Sequence, residues 1–128
     1  MAISYVVNQR VNPRNIQAPR KFYAMARSIS EETTRKLATE ISKRTGSSVS
    51  DVMAVLEAFI DLIPERLLDG FIVRLGDFGS FSLTLSSEGV EKADDFNQTM
   101  IKGININFRP GKIVDKVLST ADYKRISE

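Results

Sequence analysis

Two short runs constrain this chain more than anything else in it: Leu75-Gly76-Asp77-Phe78-Gly79-Ser80-Phe81 and Ile104-Asn105-Ile106-Asn107-Phe108-Arg109-Pro110-Gly111-Lys112. Each joins a strand-forming apolar stretch to a turn that contains glycine. The first predicts a strand, a tight turn from Gly76 to Gly79, and a second strand beginning at Phe81. The second predicts a strand that stops at Pro110-Gly111 and feeds a short helix marked by Val114, Val117, Leu118 and Ala121. The turn at Gly76 lacks the spacing and the Lys-Ser/Thr ending of a nucleotide loop, and it joins strand to strand.

Three strands are expected in this part of the chain. Phe71, Val73 and Leu75 alternate with Ile72 and Arg74; Phe81, Leu83 and Leu85 with Ser82 and Thr84; Ile104, Ile106 and Phe108 with Asn105, Asn107 and Arg109. Successive strand residues point to opposite faces, so the sheet has one greasy face and one polar face. Arg74, Ser82, Thr84, Asn105, Asn107 and Arg109 fall on the polar one.

Two helices precede the sheet. The first starts from Ser30 or Thr33 and runs to about Arg44, with Leu37, Ala38 and Ile41 as its apolar stripe and Gly46 as its stop. In the second, Ser48-Val49-Ser50-Asp51 reads as a capping box. Val49, Val52, Met53, Leu56, Phe59, Ile60, Ile63 and Leu67 then keep three-and-four spacing up to Asp69-Gly70. Pro64 lies inside that pattern and is expected to bend or loosen the last turns. The fold class is therefore α+β: a helical hairpin, a three-stranded antiparallel sheet and a C-terminal helix.

The N-terminus is different in kind. Residues 1–27 carry Arg10, Arg14, Arg20, Lys21 and Arg27 and no acid, whereas residues 28–128 hold 13 bases and 16 acids, −3 against the chain's total of +2. The alternation of Ile3, Tyr5 and Val7, and of the residues from Lys21 to Arg27, predicts two short strands around a loop holding Pro13 and Pro19. The division expected is a basic strand-pair extension, 1–27, on a body, 28–128. Charge alone leaves open whether the extension is a solvated tail or a binding element.

With no Cys and no His, zinc sites, disulfides, thiol nucleophiles and imidazole bases are excluded. Neither a metal nor a cofactor nor a small-molecule substrate is expected, and Asp94-Asp95 has no partner base that would make it a catalytic pair. No apolar run approaches ~20 residues and no signal-peptide pattern opens the chain, so no membrane partner is expected and a cytoplasmic location follows.

Lys43-Arg44-Thr45-Gly46, Leu67-Leu68-Asp69-Gly70, the Leu75–Phe81 run and Phe108-Arg109-Pro110-Gly111-Lys112 resemble the bacterial HU/IHF family of histone-like DNA-bending proteins. The resemblance runs from about residue 33 to 118. The added N-terminus, with Asn12-Pro13 and Lys21-Phe22-Tyr23, resembles the extended HU-related branch of Bacteroides-type bacteria. This implies an intertwined homodimer of the nucleoid, two helical hairpins interlocked beneath a saddle made of both sheets. Leu56, Ile60, Ile63, Phe78 and Phe81 are the expected dimer core. It also implies a β-ribbon arm, rich in Lys and Arg with a proline at its tip, between the second and third strands.

Here the sequence departs from the family. Between Leu85 and Ile104 stand Glu88, Glu91, Asp94 and Asp95 against Lys92 and Lys102, with no proline. An intercalating wedge is not expected, and the helical spacing of Phe96, Met100 and Ile101 predicts a compact turn around residues 93–102. The implied partner is double-stranded DNA, held by its phosphates. Arg109 and Lys112, which flank Pro110-Gly111 at a helix start where backbone N–H groups and the helix dipole favour an anion, are the first candidates. Arg74 on the polar face is the next, unless it pairs with a carboxylate across the strands. Lys92 and Lys102 from the shortened arm, and Arg20, Lys21 and Arg27 from the extension, complete the set. The competing expectation is a structural or protein-interaction module that keeps the fold and has lost DNA binding.

Overall fold

The computed structural model describes residues 1–127. The chain forms two compact units: residues 34–116, and residues 1–33 together with the C-terminal residues from 117 onward.

In the larger unit, α1 (Thr34–Thr45) and α2 (Val49–Leu68) form the expected hairpin. Ser48 is extended (φ −65°, ψ 151°), and its side-chain oxygen accepts the Asp51 N–H at 3.1 Å, closing one of the four donors that a helix start leaves open. The helix runs through Pro64 and ends four residues later. Its end is a Schellman arrangement, in which the Gly70 N–H donates to Leu67 O (3.0 Å) and the Phe71 N–H to Arg66 O (3.1 Å). That second bond explains a difference from the sequence reading. Phe71 is taken by the helix cap, so the first strand of the sheet shrinks from Phe71–Leu75 to β3 (Val73–Arg74).

After a single 3₁₀ turn at Gly76–Phe78 come β4 (Gly79–Ser87) and β5 (Ile101–Pro110), followed by α3 (Lys112–Leu118). The sheet order is β3-β4-β5, antiparallel throughout. Its register puts Phe81 opposite Phe108, Leu83 opposite Ile106 and Leu85 opposite Ile104, so the greasy face exists as read. Phe108 contacts both Phe81 and Phe78, with ring centroids 5.0 and 5.4 Å away, a separation typical of favourable aromatic pairs.

The segment joining β4 to β5 is compact. Two 3₁₀ turns, Ala93–Asp95 and Gln98–Met100, replace the single helical turn expected over residues 93–102, and the Glu88 N–H closes the hairpin on Met100 O (3.0 Å). Asn97 caps the start of the second turn by accepting the Thr99 N–H (3.1 Å), and Ile101 closes it and begins β5.

In the smaller unit, β1 (Ala2–Arg10) pairs antiparallel with β2 (Lys21–Ala26), as the alternation suggested. A third strand, β6 (Asp122–Arg125), lies parallel to β1 on its other edge. The expected strand pair is thus a three-stranded sheet, order β2-β1-β6. Asp122, Lys124 and Arg125 give β6 no apolar alternation to read; all four of its residues are exposed, and it is held by backbone pairing with β1, with Tyr123 on the same side as Ile3 and Tyr5.

Little of either unit is closed off. The buried apolar side chains among the described residues are Val6, Ala38, Val52 and Leu67. Leu56, Ile63 and Phe81 are half-buried, Phe78 is 45% exposed and Ile60 52%, and the outer ends of the greasy sheet face, Leu85, Ile104 and Ile106, are at least 55% exposed.

Candidate nucleic-acid interface

The polar face of the larger sheet is laid down by the same register that makes the greasy one. Arg74 lies opposite Ser80, and Ser80 opposite Arg109, so one row across three strands reads Arg-Ser-Arg. The next rows are neutral, Ser82 with Asn107 and Thr84 with Asn105. They are knit by diagonal bonds, Asn107 Nδ2 to Thr84 Oγ1 (2.9 Å) and Asn105 Nδ2 to Ser86 Oγ (3.0 Å). Arg74 therefore has Ser80, and no carboxylate, directly opposite it across the strands.

At the basic end of this face lies a hollow of ≈ 360 Å³ lined by Arg74, Asp77, Ser80, Arg109, Lys112 and Asp115, along with turn glycines. Its floor depends on a close approach of two backbone turns. The Gly111 N–H donates to Phe78 O at 2.9 Å, and the Leu75 N–H to Gly79 O at 2.9 Å. A Cβ on Gly111 would run into the Asp77 carbonyl, and a Cβ on Gly79 would meet the Phe108 ring at 2.7 Å. The two glycine-bearing runs met in the sequence thus fold into one lock, which brings Arg109 and Lys112 beside Arg74. Glycine spacing hinted at turns; only the fold shows that the turns touch.

Among the described residues none of the three cations of the hollow forms an ion pair, and neither does Asp77 or Asp115. The hollow has three positive charges against two negative ones, all solvent-exposed. That arrangement suits contact with an anion that brings its own high charge density, such as a phosphodiester backbone. α3 is only seven residues long and carries Asp115 in its first turn, so the helix start here already has a carboxylate of its own beside the cations.

The remaining candidates are spread out. Lys102 is the extra residue at a bulge, where pairing steps from Ser86–Gly103 to Ser87–Ile101. That is about 23 Å along the strand from Arg109, at ~3.3 Å per residue. Lys92 precedes the Ala93–Asp95 turn, next to Asp94 and Asp95. Neither joins the hollow. In the smaller unit, Arg20 and Lys21 sit at the loop end of β2, whereas Arg27 follows its other end, donating its backbone N–H to Ser4 O (2.8 Å). The three do not form one cluster. Arg10, which the sequence reading did not single out, is the direct cross-strand partner of Lys21.

A family model described as an HU domain fused to a winged helix-turn-helix, immunoglobulin-like or glycine-rich motif matches residues 1–125, and the chain belongs to this family. Among solved structures it is similar to a crystal structure from Bacteroides vulgatus ATCC 8482, named as a candidate bacterial DNA-binding protein. The TM-score is 0.66 at 12% identity, over 99% of this chain and 49% of that one. The chain thus spans about half the length of that neighbour, and at this identity the likeness is one of fold. No curated protein matches it. Among the described residues, no helix is long and apolar enough to cross a membrane.

Proposed function

We propose that this protein is a non-enzymatic, sequence-tolerant duplex-binding protein of the bacterial nucleoid that acts as a homodimer. The observation that carries the proposal is the Arg74–Ser80–Arg109 row, with Lys112 locked beside it, at the basic end of an otherwise neutral sheet face. Membership of an HU-type family supports it, and so does the fold shared with a protein named for DNA binding. Phosphate contacts fix a protein on a duplex and carry no sequence information. The neutral Ser/Thr/Asn rows already spend part of their hydrogen-bonding capacity on each other, which favours tolerance over base readout.

Dimerisation completes the site. A single copy leaves Val55, Ile60, Phe78, Ile104 and Ile106 substantially exposed along one helix and one sheet face. Exposed apolar side chains in this number are what an interface would cover. The occupant is a second copy: two-fold pairing covers Leu56, Ile60, Ile63, Phe78 and Phe81 and doubles the cations presented to one duplex. With no proline in the segment joining β4 to β5, no wedge offsets the bending cost of order 1–6 kcal/mol. The DNA is therefore bent gently and bound more weakly than by a long-armed relative.

A second reading, a protein-interaction module of the same fold, is favoured by one observation: Glu88, Glu91, Asp94 and Asp95 crowd the hairpin end, and Asp77 and Asp115 share the hollow with its cations. A gel shift on random duplex at two salt concentrations separates the two. Retarded complexes that dissociate with salt support the DNA reading, and no complex at low salt supports the module.

A further inference from the structure

From the smaller unit taken by itself, we infer that the far end of the β1–β2 ribbon is a second duplex-binding element, built by Arg10, Arg14, Arg20 and Lys21. The inference rests on the reading of the protein as a DNA binder, because the ribbon offers the same phosphate chemistry as the sheet face.

Topology gives the ribbon its reach. β6 accompanies β1 only as far as Tyr5, which lies opposite Arg125, and the pairing closes with the Ile126 N–H on Tyr5 O at 2.9 Å. From Val6–Met25 to Arg10–Lys21, β1 and β2 continue as a two-stranded ribbon for about 13 Å, at ~3.3 Å per residue. The loop at its end is folded and not slack. The Asn12 side chain accepts the Arg14 N–H (2.9 Å) and the Asn15 side chain the Gln17 N–H (3.2 Å), while Asn15 and Ala18 close backbone turns at 3.2 and 3.1 Å.

Charge is distributed along this ribbon in one direction. Arg10 and Lys21 face each other across the strands, a like-charge placement that destabilises a strand pair and that no ion pair among the described residues offsets. Arg14 and Arg20 belong to the same loop, all four side chains are exposed, and none has an ion-pair partner among the described residues. The carboxylate on this sheet, Asp122, is opposite Ala2, at the other end of β1. Four uncompensated cations gathered on a projecting two-stranded tip fit the closely spaced phosphates of a duplex. Arg27 lies outside the element.

The test uses the full chain and a random-sequence duplex of about 30 base pairs, with binding followed by fluorescence anisotropy between 50 and 200 mM KCl. The ribbon variant is Arg10→Gln, Arg14→Gln, Arg20→Gln and Lys21→Gln. The sheet variant is Arg109→Gln and Lys112→Gln. A charge-matched control changes Arg35, Lys43, Arg44 and Arg66 to Gln. Circular dichroism verifies that each folds.

The ribbon variant is expected to flatten the slope of log K against log salt by up to about 3.6 per protomer, at roughly 0.9 per lost phosphate contact. The control keeps most of the wild-type slope. A ribbon variant with the wild-type slope, or a control that loses as much, overturns the inference while leaving the sheet site standing. If the sheet variant keeps wild-type binding and the ribbon variant does not, the sheet reading falls and the ribbon survives. A wild type that ignores the duplex at 50 mM KCl overturns both, as does a ribbon variant whose only loss is on phosphatidylserine vesicles or single-stranded RNA run alongside.

Discussion

Gly111→Ala is the sharpest single change this structure offers. The new Cβ would stand 2.7 Å from the Asp77 carbonyl carbon and 3.1 Å from the Gly79 nitrogen, and closer still to the Asp77 oxygen. These are backbone atoms on a short turn, so no side chain can swing aside. Either the Gly76–Phe78 turn or the start of α3 must move, and the Gly111 N–H to Phe78 O bond (2.9 Å) goes with it. Overpacking costs about 1–3 kcal/mol, and a lost backbone hydrogen bond about 1 kcal/mol. The sum is about 2–4 kcal/mol. For a unit of this size each kcal/mol lowers Tm by about 4–8 °C, so a drop of roughly 10 °C or more is expected. Thermal unfolding followed by circular dichroism reads it. The control is Gly103→Ala, in β5, where a Cβ meets nothing within 4 Å, and its Tm should hold or rise. If Gly111→Ala melts with Gly103→Ala, the lock between the two turns is not what the geometry says.

Three further outcomes are expected. Sedimentation should give a species of about twice the 14.3 kDa chain mass at micromolar concentration, and Ile60→Glu should shift it to monomer and weaken DNA binding with it; a stable wild-type monomer removes the two-fold saddle. Ser48→Ala should cost about 1 kcal/mol in urea unfolding through loss of the Asp51 N–H cap, and no change would mean that the cap is solvent-equivalent. Glu88→Gln, Glu91→Gln, Asp94→Asn and Asp95→Asn together should tighten duplex binding in anisotropy titrations. Weaker binding would show that the acidic hairpin end contacts the DNA partner productively.

Local chemistry made much of the fold legible. Helix α2 announced itself through its capping serine and a continuous apolar stripe, and the period-2 runs placed Arg74 and Arg109 on one face before any register was known. What stayed hidden depended on contacts between distant segments. Phe71 reads as a strand residue until the Schellman bond claims its N–H, because a helix end and a strand start compete for the same backbone donor. β6 carries no apolar alternation and is specified by its partner β1. The lock between Gly111 and the Asp77 turn joins residues more than thirty apart, and Arg10 gained meaning only when the register set it against Lys21. Arg109 and Lys112 stood out by motif, whereas the shortness of α3 and the Asp115 in its first turn, which set the charge around them, follow from the fold.

The most direct test of the DNA-binding account is the salt dependence of duplex binding by wild type and by Arg109→Ala plus Lys112→Ala. Wild type should bind random duplexes at 50 mM salt, with log K falling linearly in log salt. The double change should weaken every sequence about equally and flatten the slope by about 1.8 per protomer, the two lost phosphate contacts at roughly 0.9 each. A double variant with wild-type affinity and slope, or a wild type that binds no duplex at low salt, would contradict the account.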